Sequence, residues 1–188
     1  MRYLPFAALV ALTCALCADA APAVTKSPVS DRNDGAGPVD LSSVRATHDS
    51  SDARLIYTFR TYEGFGPSAL RNRDGAPGSI CVNIWTDRVP AEDPANYELC
   101  VTARPDEGYR GTIHRQSETG SLKQVGKAEV QQRSTKRLEV RFKLARIGSP
   151  RSILWTAETT TFGKGCPKGA GCEDFAPEPP ETVKTDLR

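Results

Sequence analysis

Apolar and polar residues alternate most informatively between Ser79 and Ala103, SICVNIWTDRVPAEDPANYELCVTA. At a period of two, Ile80, Val82 and Ile84 point one way, and Cys81, Asn83 and Trp85 the other. Beyond a turn-rich loop from Arg88 to Pro94, Tyr97, Leu99 and Val101 share a face, with Glu98, Cys100 and Thr102 opposite. Pairing the two runs antiparallel with Cys81 across from Cys100 sets Ile80 against Val101, Val82 against Leu99 and Ile84 against Tyr97. Hydrophobic pattern and cysteine positions select one register independently. That predicts a disulfide-linked hairpin with one buried face.

The same alternation recurs along the chain. Ser42 to His48 carries Val44, Ala46 and His48 on one side, and Ala53 to Tyr62 carries Leu55, Tyr57 and Phe59. The polar turn Asp49-Ser50-Ser51-Asp52 joins them into a hairpin that matches Ala46 with Leu55 and Val44 with Tyr57. Gly64 to Gly78 is rich in glycine and proline and is expected as a long surface loop. A further hairpin joins Tyr109–Arg115 to a strand between Leu122 and Arg133. Arg137 to Lys143 reads as a strand with Leu138, Val140 and Phe142 inward, Leu144 to Pro150 as a turn or one short helical turn. Ser152 to Glu158 is the last clear strand, with Ile153, Trp155 and Ala157 on its core side.

No segment carries a sustained 3.6-residue stripe with helix caps. Many short strands separated by turns predict an all-β chain, a single antiparallel β-sandwich of immunoglobulin-like or jelly-roll-like type. Its expected span is residues 39–177, after a flexible leader at 21–38 and before a disordered tail at 178–188.

With 188 residues the chain has room for one domain with a real core. Residues 1–20, MRYLPFAALVALTCALCADA, have the pattern of a secretory signal peptide: Arg2, an apolar run from Leu4 to Cys17, then Ala18-Asp19-Ala20. The expected location is therefore secreted, or extracellular. That run is too short to span a membrane, and no later stretch reaches the roughly 20 apolar residues needed. Signal cleavage leaves Cys81, Cys100, Cys166 and Cys172, and an even number in an exported chain predicts two disulfides. Register favours Cys81–Cys100, and proximity favours Cys166–Cys172. Chain entropy assigns about 3 kcal/mol to the first loop and about 2 kcal/mol to the second. A four-cysteine zinc site lacks the usual close C-x-x-C spacing. The net charge is +2, with acids and bases interspersed. In the densest basic segment, Arg133 to Arg146, charges alternate with Leu138, Val140 and Phe142, as on a solvated strand face, so nucleic acid is not an expected partner.

Candidate chemistry is sparse. His48 and His114 are the two histidines and fall on different hairpins. The chain has no G-x-S-x-G elbow, H-E-x-x-H or phosphate-cradling glycine loop, so no catalytic residue is assigned and a non-enzymatic role is expected. In DRNDGAGPVD, Asp31, Asn33, Asp34 and Asp40 offer hard oxygens around glycines that let the backbone fold back, as calcium requires. The spacing is not that of an EF-hand, and an ordinary acidic turn is the competing reading. Glu173-Asp174, fixed behind Cys172, has two roles open to it: bonding backbone amides of the irregular segment that follows Thr159, or completing that ion site from the other end of the chain. Trp155, Tyr57 and Phe59 fall on core faces. Trp85, Tyr62 and Phe65 are the candidate exposed aromatics for sugar stacking, while Trp85 has the alternatives of lying under a neighbouring loop or covering the disulfide.

The order of these features resembles a known pattern. An acidic glycine stretch ends in Asp40, Leu41, Ser43 and Val44, and a T-H-D turn and a Y-T-F-R strand follow. Later come Ile153, Trp155 and Ala157, then C-E-D-F-A-P from Cys172 to Pro177. This resembles exported actinobacterial β-sandwich proteins of unknown function. More distantly, it is similar to family-9 carbohydrate-binding-module-like and DOMON-like sandwiches. The resemblance implies a module for sugar or haem, sometimes with calcium near the acidic segment, where Asp34 and Asp40 have counterparts. The haem-ligating methionine and histidine have none, because the sole methionine is Met1. The expectation is a secreted, non-catalytic binding module for glycan or a cell surface. The alternative is an exported inhibitor or interaction domain that presents the Gly163–Asp174 loop to another exported protein.

Overall fold

The structure is a computed structural model and describes residues 24–72, 75–86, 94–106, 108–117, 119–163, 165–167 and 171–187. Twelve strands lie among the described residues: β1 (Val24–Lys26), β2 (Val29–Ser30), β3 (Leu41–Asp49), β4 (Arg54–Thr61), β5 (Ser79–Thr86), β6 (Tyr97–Ala103), β7 (Tyr109–Gln116), β8 (Leu122–Ser134), β9 (Arg137–Lys143), β10 (Ser152–Thr161), β11 (Cys172–Ala176) and β12 (Thr182–Asp186). They form one ladder in the order β1-β12-β10-β5-β6-β7-β8-β9-β4-β3-β2, with β11 also bonded to β10. Only the β1–β12 pairing among the described residues is parallel.

The long strand β8 folds this ladder over. Its first half pairs with β7 in sheet A, and its second half pairs with β9 in sheet B. The result is an all-β, mostly antiparallel, nearly closed barrel or sandwich. On the far side β11 returns to β3, where the Leu41 N–H donates to Asp174 Oδ2 at 2.6 Å.

Period two places the core as expected. Sheet A contributes Ile80, Val82, Ile84, Leu99, Val101, Ile113, Ile153 and Trp155, and sheet B contributes Val44, Leu55, Tyr57, Phe59, Leu138, Val140 and Phe142. Between the layers the Trp155 and Tyr57 rings meet edge to face, with centroids 5.5 Å apart. The Trp155 Nε1–H is satisfied by Thr185 Oγ1 at 2.9 Å.

The central hairpin has the expected register, residue for residue from Ile80↔Val101 to Ile84↔Tyr97. Both disulfides are present, Cys81–Cys100 and Cys166–Cys172. The β9 strand has the expected bounds, and Leu144–Ile147 forms the short helical turn. In the basic segment Glu139 accepts from Arg133 and Arg141, so one carboxylate is set among the guanidiniums of that face.

Four expectations are corrected. The β3–β4 hairpin is shifted by two residues, so that Val44 faces Phe59 and Ala46 faces Tyr57. Its turn runs over Ser50–Ala53: Asp49 Oδ1 accepts from the Ser51 N–H and hydroxyl, and Ala53 takes a positive φ of 47°. A shift of two preserves parity, so every side chain keeps its predicted face. The 64–78 segment is not wholly a surface loop, because Phe65 and Leu70 enter the core around a short 3-10 turn at Pro67–Leu70. The leader is not loose from Val29 onward, since β2 pairs with β3 and Val29 is buried. Nor is 178–188 a disordered tail: β12 pairs with β10 and buries Val183. Residues 1–20, the expected signal, lie outside the described residues.

Candidate functional site

Two constellations stand out, one at the chain ends and one on the outer face of sheet A.

The first gathers Asp31, which follows β2, Asp34 and Asp40 from the acidic segment, and Asp174 from β11. One carboxylate oxygen from each lies within 4.8 Å of all the others. Oxygens around a calcium ion sit 2.3–2.6 Å from it, so about 5 Å is the widest separation within one shell. Local bonds hold the loop in this shape. The Asp31 N–H donates to Ser42 O and the Tyr62 N–H to Asp40 O, while the Tyr62 hydroxyl donates to Asp31 O at 2.6 Å. At Gly35 a Cβ would lie 3.0 Å from Asp40 Cγ, and at Gly37 one would lie 2.8 Å from Cys172 Cβ. Side chains there would push the segment off the disulfide and the carboxylates.

Asp40 and Asp174 are each only 6 % exposed. Asp40 Oδ1 and Asp31 Oδ2 are buried without a hydrogen-bond partner. Among the described residues no lysine or arginine forms an ion pair with any of the four. Burial, and then the neighbouring carboxylates, push Asp174 up to about 7. Burial likewise raises Asp31 to about 6, and Asp40 is also raised. Unpaired buried oxygens in an all-oxygen donor set fit a hard divalent cation. The amide that Asp174 binds, that of Leu41, lies on β3 and not, as expected for the Glu173-Asp174 pair, in the irregular segment after Thr159. Asp174 also joins the cluster, whereas Glu173 is exposed.

The second constellation comes from period two on neighbouring strands. Register aligns Thr156, Asn83, Glu98, His114 and Gln124 in one row across β10, β5, β6, β7 and β8. Glu158 lies one step along β10, opposite Cys81. Trp85 lies one step along β5, opposite Leu154. Of these, Gln124 is exposed, while Asn83, Trp85, Glu98, His114, Thr156 and Glu158 are half-buried. Glu98 Oε2 stands 3.9 Å from His114 Nδ1. The Glu158 carboxyl is held above its ordinary range by burial, then by Glu98 and Glu173, with an opposing hydrogen bond from Asn83. Glu98 also lies near Cys81 and Cys100, but their sulfurs are joined to each other and hold no metal. Among the described residues no serine hydroxyl or cysteine thiol hydrogen-bonds to His48 or His114, so no nucleophile–imidazole pair is assembled.

The predicted aromatic trio is not brought together as an exposed surface. Phe65 is 6 % exposed and packs edge-on against Tyr109 at 6.5 Å, because its loop folds under β8. Tyr62 braces the acidic segment. Trp85 alone stays on the outer face of sheet A. The polar partners beside it were readable only as the unassigned face of each strand, since their convergence depends on strand order. The disulfide loop has Cys172 buried beside Gly37, and residues 164 and 168–170 lie outside the described residues. No helix among the described residues is long and apolar enough to cross a membrane. Comparison with known proteins gives no match to any family model, curated protein or solved structure.

Proposed function

We propose that the chain is an exported, non-catalytic binding module that takes a glycan of the environment or a cell surface on the outer face of sheet A. The observation that carries this is the half-buried row of Asn83, Glu98 and His114, with Glu158 and Trp85 beside it. Amide, carboxylate and imidazole groups donate and accept hydrogen bonds at fixed spacing, as paired sugar hydroxyls demand, and an indole offers a ring face to sugar C–H groups. Export is supported by the signal-like residues 1–20 and by two disulfides in so short a chain.

The acidic cluster has a separate part in this reading. Asp31, Asp34, Asp40 and Asp174 would hold calcium, tying the leader and β11 to β3 and so keeping the barrel closed. The interaction-domain alternative gains less support, because the disulfide loop is packed against the leader at Gly37.

Retention of the mature chain on insoluble polysaccharides and a glycan array tests the reading. Wild type is expected to be retained, and Trp85→Ala or Glu98→Gln to lose at least tenfold in affinity at an unchanged melting temperature. Absence of retention on every glycan would reject the proposal.

A further inference from the structure

We propose that the module selects acidic saccharides, by means of a cationic groove that continues the polar row on sheet A; this rests on the glycan reading above. The groove, of about 520 Å³, is lined by Arg104, Tyr109, Arg110, Thr112, Gln124 and Lys127. That volume is within the range of small-molecule sites. A β-bulge builds it. The β7–β8 register passes from Ile113↔Gly126 directly to His114↔Gln124, leaving Val125 as the extra residue, which packs toward the core. Gln124 is thereby set opposite His114 and Lys127 opposite Thr112, so groove and row share one face. Bulges of this kind re-aim side chains beside binding sites.

Charge identifies the ligand. Arg104, Arg110 and Lys127 line the groove, and Arg71 borders it by donating to the carbonyls of Arg104 and Pro105. Among the described residues the carboxylate paired there is Asp106, bonded to Arg104. Among the described residues Arg110 and Lys127 have no ion-pair partner, and both are exposed. A guanidinium and an ammonium that line one groove with Gln124 and Thr112, on the sheet face that also carries the His114–Glu98 pair farther along β7, suit a ring that carries a carboxylate among hydroxyls. Single-stranded nucleic acid would need stacking platforms. Tyr109 does not provide one, since its ring meets Phe65 and its hydroxyl donates to Gln132 Oε1.

The test is a titration of the mature chain at low salt with oligogalacturonate, its fully methyl-esterified neutral form, and single-stranded DNA. The acidic sugar is expected to bind at least tenfold more tightly than its ester, with an advantage that shrinks as salt rises. R110S/K127S should lose that advantage and keep both the ester affinity and the melting temperature; K127E, a second exposed change, should lower acid binding further. Equal binding of acid and ester would overturn the acidic preference and leave the glycan module standing. DNA bound as tightly as the acid, and lost in R110S/K127S, would also overturn it, as a groove for any polyanion. No binding of either sugar while other glycans are retained would overturn it alone. No glycan retained at all would remove both readings.

Discussion

Removing calcium from the Asp31–Asp34–Asp40–Asp174 cluster should destabilise the protein at pH 8 far more than at pH 5. In the unfolded chain these carboxyls ionise near 3.8, whereas in the metal-free fold Asp31 keeps its proton up to about 6 and Asp174 up to about 7. Between those limits the folded state binds more protons than the unfolded one, so stability falls as pH rises. For Asp174, which is 6 % exposed, the interval amounts to about 4 kcal/mol lost between pH 4 and pH 8. Asp31 acts in the same direction. Below pH 4 both states are protonated and the effect vanishes.

In the proposed site calcium would replace the protons as the neutralising charge, so its stabilisation should grow over the pH range in which the metal-free form weakens. At a hundredfold excess over Kd it is worth about 2.7 kcal/mol. For a domain of this size that is a rise in Tm of about 5–10 °C. The assay is thermal unfolding by circular dichroism at pH 5 and pH 8, in chelator and in calcium. Asp174→Asn keeps an acceptor for the Leu41 amide and deletes the charge. It should abolish the calcium response and melt no lower than wild type in chelator at pH 8. Equal melting with and without calcium at pH 8 would refute the cation site. Stability that rises with pH in chelator would refute the claim that the carboxylates repel one another unneutralised.

Other outcomes follow from single contacts. C81S/C100S should lower unfolding free energy by about 3 kcal/mol in urea, from the loop the disulfide closes, and a loss below 1 kcal/mol would mean that the hairpin register stands without it. Trp155→Ala should cost about 3–5 kcal/mol, because the fully buried ring fills the space between the sheets; a cost near zero would contradict its burial. Truncation after Glu181 should lower Tm by about 10 °C or more, through loss of Val183 and of the Thr185 acceptor for Trp155. A loose tail would leave the melt unchanged.

Much of the fold was legible because period two decides faces without reference to register. Leu55, Tyr57 and Phe59 were placed in the core correctly even though their hairpin partner lies two residues from the expected one, since a shift of two cannot turn a strand over. Segments whose structure depends on distant strands were not legible. Thr182–Asp186 has too few apolar residues to announce a strand and becomes one only because β10 offers an unpaired edge below β11. Phe65 stood among glycines and prolines and read as exposed, yet it lies beneath β8 because Gln132 Nε2 holds its carbonyl at 2.6 Å.

The two sites divide along the same line. Three of the four clustered aspartates lie within ten residues, so local sequence carried most of that signal, and the disulfide behind Asp174 hinted at the fourth. Asn83, Glu98, His114 and Glu158 are spread over some seventy-five residues on four strands, and each alone reads as the solvated half of an alternation. Strand order turns that alternation into a site. It sets β10, β5, β6 and β7 side by side, so Asn83, Glu98 and His114 become one row with Glu158 a step beside it. Then Val125, one residue too many in β8, sets Gln124 and Lys127 beside its end. The chemistry of the outer face is therefore a property of strand pairing more than of any motif, and moving the bulge should disturb binding before it disturbs folding. Deleting Val125 removes the extra residue yet keeps Gln124 opposite His114 and Gly126 opposite Ile113, so it takes away the bulge's local bend and twist beneath the groove without changing the register. Ligand affinity should fall while the far hairpin of β3 and β4 keeps its amide protection.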